Sequence, residues 1–129
     1  MFEAWTLRQE SVNADDEKLR SAVRALTDPQ RAEFFKQYNK ALKDPDTFAV
    51  LNWFFLAGLH HFYLGRFIRG SLNLLIMALG IVLLFSTPTI GSVLIAGIIL
   101  IEIPALFRSQ IIVENYNTNL GRRILNSQQ

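Results

Sequence analysis

Apolar residues dominate the chain from residue 48 to residue 107, where the formal charges are Arg66, Arg69 and Glu102. Before this region, apolar residues recur every three or four positions among charged ones, the pattern of amphipathic helices. A soluble domain would carry polar faces through the apolar region as well. We therefore predict that this region is embedded in a membrane. The predicted membrane segments are 48–64, 71–85 and 90–107.

The apolar region must fold back on itself near Pro88. A single helix over residues 70–107 would be about 57 Å long, whereas the hydrocarbon core of a bilayer is about 30 Å thick. Segment 48–64 is slightly short of that thickness, at about 25 Å. If it re-enters instead of crossing, all 13 Lys and Arg residues lie on one face of the membrane, which the positive-inside rule favours. We expect a re-entrant or half-inserted segment 48–64, and a third crossing is the alternative.

Two short helices are predicted before the membrane region, at residues 14–26 and 29–43. The pair Asp28-Pro29 starts the second helix, because Pro is favoured at the first helical position. Two-helix units of this size bury little core. We predict that one side of the second helix docks a partner or another copy; the alternative is that it packs inside a solvated lobe. The predicted docking face consists of Phe34, Phe35, Tyr38 and Leu42.

The chain thus divides into an N-terminal soluble helical lobe at 1–46, a membrane domain at 47–108 and a basic C-terminal tail at 109–129. Asn117-Thr118-Asn119 and Gly121 interrupt the apolar spacing of the tail. The tail is expected either to lie along anionic headgroups or to be a partly ordered polar segment. The predicted fold class is all-α, with a membrane helical hairpin, a further membrane-embedded helix and a short soluble αα-hairpin.

Charge and cysteine content exclude several classes of function. The net charge is +2, but acidic residues match the basic ones before Thr47 and no nucleic-acid-binding motif is present, so we expect no nucleic acid partner. The sequence has no cysteine, which excludes disulfides and thiolate catalysis. It pairs no nucleophile with a base and has no Gly-rich phosphate loop. We therefore predict that the protein is not an enzyme and takes no cofactor.

Polar and aromatic residues concentrate in the turn between the first and second apolar segments. Charges and imidazoles in that position must reach water, lipid headgroups or a partner, because burying them in hydrocarbon is costly. The residues of this membrane junction motif are His60, His61, Phe62, Tyr63, Leu64, Gly65, Arg66, Arg69 and Gly70.

The junction motif, with Leu56-Ala57-Gly58-Leu59 before it and a Gly-led apolar run after it, resembles the transmembrane-two (TM-two) domain family. The resemblance covers residues 48–108. It implies a membrane-embedded pair of helices with a late acidic residue, here Glu102, and it implies no particular biochemical activity. His61 stands where the family usually has Arg, which makes any constant positive charge there pH-dependent. Glu102 stands where the family usually has Asp.

Glu102 is an ionisable residue in a predicted membrane segment, and such residues are functional candidates. It also lies six residues before Arg108, about 9 Å from the predicted interface. We predict a structural ion pair or hydrogen bond with Arg66, Arg69, a histidine or a neighbouring copy. An ion or proton pathway is the alternative.

A metal site is not expected. Adjacent side chains such as His60 and His61 point differently on a helix, and the sequence has no other histidine. Asn52 and Asn73 are expected to form hydrogen bonds between helices.

The predicted function is a docking or assembly subunit of a membrane complex, and its partners would be the lipid bilayer together with further copies or a larger complex. The first ten residues lack a long apolar core, so we expect a bacterial-type inner or plasma membrane with the N-terminal lobe in the cytoplasm. The alternatives are an oligomeric channel that uses Glu102 and an anionic-lipid-binding module that uses Arg66, Arg69 and the tail.

Overall fold

The structure is a computed structural model that describes residues 3–54 and 58–129. These residues form helices and contain no strand, which confirms the predicted all-α class. They divide into two compact units, residues 46–109 and residues 1–45 with 110–129. The helices are α1 (Glu3–Thr6), α2 (Gln9–Arg24), α3 (Asp28–Ala41), α4 (Pro45–Phe54), α5 (Leu59–Tyr63), α6 (Phe67–Ser86), α7 (Pro88–Phe107) and α8 (Ser109–Ser127).

Helices α6 and α7 of the apolar unit (residues 46–109) are each long and apolar enough to cross a membrane. Each has 20 residues, about 30 Å, which matches a bilayer core. They extend the predicted segments 71–85 and 90–107 toward their N-termini. Thr87 separates them, since Pro88 cannot continue a helix from α6 but suits the first turn of α7.

Two glycines let α6 and α7 approach closely. A Cβ atom on Gly91 would lie 2.5 Å from the Leu84 nitrogen and 2.7 Å from the Gly80 oxygen. A Cβ atom on Gly80 would lie 2.8 Å from the side chain of Ile95. Small residues allow such backbone contacts between apolar helices. Helix α7 continues through Pro104, with Arg108 donating its backbone N–H to the Pro104 carbonyl.

The predicted segment 48–64 is not one helix in the structure. It corresponds to α4 and α5, and residues 55–57 between them lie outside the described residues. Gly58, immediately before α5, has φ +95°, a conformation that glycine adopts far more readily than other residues. A Cβ atom at this position would also lie 2.8 Å from Cβ of Asn73.

The second unit (residues 1–45 and 110–129) has a small core formed by α2, α3 and α8. Thr27 and Gln30 cap the start of α3, where the Thr27 backbone N–H donates to Gln30 Oε1. Arg31 fixes the end of α2 by donating to the backbone carbonyls of Val23, Arg24 and Leu26. The core consists of Leu19, Val23, Phe34 and Leu125, with Ala22, Leu26, Tyr38 and Ile124 packed around it.

The C-terminal segment is a continuous helix of this unit, which differs from the expected separate tail. Asn117 does not interrupt the helix: its side-chain amide donates to the Lys43 carbonyl, and its Oδ1 accepts the Lys43 backbone N–H. Gly121 lies against Leu19, where a Cβ atom would be 2.5 Å from Leu19 Cδ2. Tertiary contacts thus explain residues that weaken a helix by local propensity alone.

The predicted docking face is divided between core and surface. Phe34 is 2% exposed and belongs to the core, so little of its ring is at the surface, and its docking role stays a prediction. Tyr38 stacks on the Phe34 ring at 5.5 Å. Phe35 and Leu42 remain 44% and 46% exposed. Helix α8 accounts for the difference, since Leu125 and Ile124 cover the side of the core that the two-helix prediction left open.

Candidate functional site

The membrane junction motif forms α5, a tight turn and the first turn of α6. Gly65 adopts φ +71° in this turn, and the Arg66 backbone N–H donates to the His61 carbonyl over 2.8 Å. The ring of Phe62 lies over Gly70, where a Cβ atom would be 2.7 Å from Phe62 Cε2. The turn therefore holds α5 against α6 and fixes the direction of the histidine side chains.

Both histidines of α5 reach the carboxylate of Glu102 in α7. Nε2 of His60 lies 2.9 Å from Oε2 of Glu102. Nε2 of His61 lies 3.2 Å from the same oxygen and 3.3 Å from Oε1. Of the partners expected for Glu102, the structure thus places both histidines in contact with it.

Two asparagines complete the cluster around Glu102. Asn73 of α6 donates its side-chain amide to Oε1 over 2.6 Å. Asn52 of α4 donates its side-chain amide to the Glu102 backbone carbonyl over 3.1 Å. The predicted hydrogen bonds of Asn52 and Asn73 between helices are confirmed. Glu102 therefore connects α4, α5 and α6 to α7.

The cluster is shielded from solvent. The exposed fractions of the His60, His61 and Glu102 side chains are 0%, 3% and 1%. Phe48 of α4, itself buried, packs edge-on against the His60 ring at 5.0 Å. A buried carboxylate requires compensating hydrogen bonds, and the three nitrogen atoms facing Glu102 supply them.

Three polar atoms of the cluster have no hydrogen-bond partner among the described residues. They are Oδ1 of Asn52, Nδ1 of His60 and Nδ1 of His61. Buried polar atoms are nearly always paired with protein, water or an ion, so this cluster retains capacity for a further ligand.

The prediction that the side chains of His60 and His61 point differently is wrong for this structure. His60 and His61 lie in a helix of only five residues, and their rings are 4.0 Å apart at a 45° tilt. In a helix this short, set between two positive-φ glycines, both Nε2 atoms lie toward the same carboxylate. His60, His61 and Glu102 bring one ligand atom each within 4.8 Å of one another.

Two of the remaining residues of the junction motif bond to the histidines through the backbone, since the N–H groups of Leu64 and Arg66 donate to the carbonyls of His60 and His61. Leu64 is buried, and Phe62 and Tyr63 are half-buried. Arg66 and Arg69 are also half-buried, and both take part in polar interactions. The docking-face residues belong to the other unit.

Sequence reasoning assigned Asn52 and Asn73 to helix packing and did not connect them with Glu102. The available signal was that each is a polar side chain inside an apolar segment, as Glu102 is. Polar residues inside a membrane usually form hydrogen bonds or ion pairs with one another. Phe48, which covers His60, carried no comparable signal, because it is one of many apolar residues in its segment.

Comparison of the chain with models of protein families, with curated proteins and with solved structures found no match. The resemblance of the junction motif to the TM-two domain family therefore stays a prediction.

Proposed function

We propose that this protein is a small integral membrane protein that serves as a docking and assembly subunit. The apolar unit would anchor the chain through α6 and α7, the pair of helices that the TM-two resemblance implies, with segment 48–64 half-inserted as the positive-inside rule favours. The charged helical unit would lie on the cytoplasmic face of a bacterial-type inner or plasma membrane and recruit a partner complex or further copies.

The surface of the apolar unit supports the membrane part of the proposal. Large apolar side chains along both long helices are exposed, among them Leu75, Phe85 and Phe107. Contiguous exposed apolar surface on this scale is unfavourable in water. The buried polar side chains described in this unit gather in the cluster around Glu102; they are Asn52, His60, His61, Asn73 and Glu102.

The proposal of a docking function rests on a groove of about 530 Å³ between α2 and α3 of the charged unit. Its apolar lining includes Leu19, Val23 and the exposed ring of Phe35. Arginines predominate among its charged lining residues, which are Asp16, Arg20, Arg24 and Arg31. An apolar groove with a basic rim favours an amphipathic partner helix that carries acidic residues beside its apolar face.

Photo-crosslinking in native membranes tests this function. A crosslinkable amino acid at position 35 is expected to capture a discrete partner, or a second copy, whereas the same amino acid at the exposed position 39 of α3 captures none. The variant Phe35→Gln is expected to lose the partner on affinity purification, while the control Asn39→Ala retains it. Identical capture at positions 35 and 39 would contradict the docking function.

The ionisable cluster inside the apolar unit favours a second candidate, an ion- or proton-conducting element that uses Glu102. This candidate predicts that reconstituted protein conducts ions across liposomes and that Glu102→Gln abolishes the flux. The docking function predicts no flux from either protein.

A further inference from the structure

We propose that His60, His61 and Glu102 form a binding site for one divalent transition-metal ion. The proposal does not depend on the docking function, because the site lies in the apolar unit and uses none of the groove residues.

The donor set is the first argument. Two imidazole nitrogens and one carboxylate oxygen are a common protein ligand set for Zn²⁺ and for Fe²⁺. Ligand atoms at about 2.0–2.1 Å from a tetrahedral Zn²⁺ ion are separated by about 3.3 Å. The Nε2 atoms of His60 and His61 lie 2.9 Å and 3.2 Å from Oε2 of Glu102. These two distances are within a few tenths of an ångström of that separation, and the three ligand atoms all lie within 4.8 Å of one another.

The approach of both histidines to the same carboxylate is the second argument. Their Nε2 atoms lie 2.9 Å and 3.2 Å from Oε2 of Glu102, and Nε2 of His61 also lies 3.3 Å from Oε1, which accepts the Asn73 amide. One ligand atom from each of the three residues thus lies within 4.8 Å of the others, the clustering that a shared cation requires.

The surroundings of the three ligands provide the third argument. Asn73 orients the carboxylate through Oε1 and leaves Oε2 to the site, the role of an outer-shell hydrogen bond in metal centres. Asn52 is fully buried beside Glu102, and its Oδ1 accepts no hydrogen bond from the described residues. A cation or its bound water would satisfy this oxygen.

The ligand types favour a divalent transition-metal ion, because imidazole nitrogens suit Zn, Cu, Fe and Ni. The three ligands carry one negative charge when both imidazoles are neutral, and neutral imidazole is the form that binds metals. Three protein ligands leave a fourth position open, which a water molecule would fill. Phe48 closes the site over His60 and limits exchange with solvent.

Metal analysis and NMR on the wild-type protein test the proposal first. The protein is purified in detergent with an affinity tag that contains no histidine, so that His60 and His61 remain the only imidazoles. We expect one equivalent of metal per chain by mass spectrometry after growth with Zn²⁺. In ¹⁵N-histidine spectra of chelator-treated protein, we expect Zn²⁺ to shift both Nε2 signals and to saturate at one equivalent. Unchanged signals at excess Zn²⁺ would overturn the proposal.

Glutamine variants separate a metal site from a hydrogen-bonded lock. The glutamine amide nitrogen reaches about as far as Nε2, so His60→Gln and His61→Gln keep a donor for Glu102 but remove a metal ligand. We expect each to lower the Co²⁺ affinity, measured by visible absorbance, by more than about 100-fold, since outer-shell changes alone cost about 10–100-fold. Asn73→Ala removes an outer-shell hydrogen bond only, so it is expected to lower the Co²⁺ affinity by about 10–100-fold.

Glu102→Gln is compared with Glu114→Gln, which makes the same change of charge on α8, outside the site. The proposal requires loss of Co²⁺ binding in the first variant only. Equal binding in both variants, or binding by His60→Gln at the wild-type affinity, would show adventitious metal and overturn it. If a variant loses its helicity by circular dichroism, the wild-type NMR titration decides the outcome.

Discussion

Asn73 donates its side-chain amide to Oε1 of Glu102 over 2.6 Å, which joins α6 to α7 at a point where both side chains are buried. Leu is similar in size to Asn but has no side-chain donor, so Asn73→Leu removes this hydrogen bond from Oε1 of Glu102. We expect the free energy of unfolding to fall by about 1–3 kcal/mol, the cost of an unsatisfied buried polar group. Denaturant unfolding in detergent micelles, followed by circular dichroism, measures the effect. A stability equal to the wild type would contradict the role assigned to this bond.

The close approach of α6 and α7 predicts a contrast between two glycines of α7. Gly91→Ala places a methyl group 2.5–2.8 Å from backbone atoms of α6. We therefore expect overpacking to lower the free energy of unfolding by about 1–3 kcal/mol. Gly97→Ala is the matched control, because nothing lies within 4 Å of its Cβ position. There we expect no loss, and a gain of up to about 1 kcal/mol from helix propensity. Equal unfolding midpoints for the two variants would rule out this packing.

The long apolar helices could be predicted because their length and composition are sufficient to indicate them. Helix α8 could not, since Asn117 and Gly121 weaken a helix locally and their bonds to Lys43 and contact with Leu19 arise from the tertiary fold. The direction of the His60 side chain could not be predicted either, because it depends on the helix break at Gly58 and on the turn after α5. Side-chain convergence of this kind depends on backbone directions that hydrophobic spacing does not determine.

Arg31 is predicted to stabilise the charged unit through the end of α2. Its guanidinium donates to the carbonyls of Arg24 and Leu26 at 3.0 Å and 2.9 Å. Arg24 is the last residue of α2 and Leu26 follows it by two positions, where intrahelical donors are missing. Arg31→Ala is expected to destabilise this unit by about 1–3 kcal/mol, read as faster amide exchange in α2. Arg31→Lys is expected to recover only part of the lost stability, because an ammonium group lacks the planar set of donors of a guanidinium. The exposed control Lys36→Ala should leave the exchange rates unchanged.

Burial raises the pKa of the Tyr38 phenol above its ordinary value, and the charge of Asp16 adds to the shift. The folded state therefore keeps the Tyr38 proton at a pH where the unfolded chain loses it. Its contribution to stability is fully present below about pH 10, the unfolded pKa, and is lost as the pH rises through the folded value. We expect Tyr38→Phe to reduce the alkaline loss of stability. In a tyrosinate absorbance titration, the variant should lack one wild-type transition that lies above the ordinary tyrosine pKa.

Membrane topology can be read from single cysteines, because the natural chain has none. If segment 48–64 is half-inserted, Thr47→Cys and Ser109→Cys lie on the cytoplasmic side, and Thr87→Cys, between α6 and α7, lies on the opposite side. All 13 Lys and Arg residues then share the cytoplasmic face, as the positive-inside rule favours. A membrane-impermeant thiol reagent added to intact cells should label only position 87. If the segment crosses the membrane instead, positions 47 and 87 lie on one side and position 109 lies on the other. The same extent of labelling at positions 47 and 87 would therefore contradict the half-inserted arrangement.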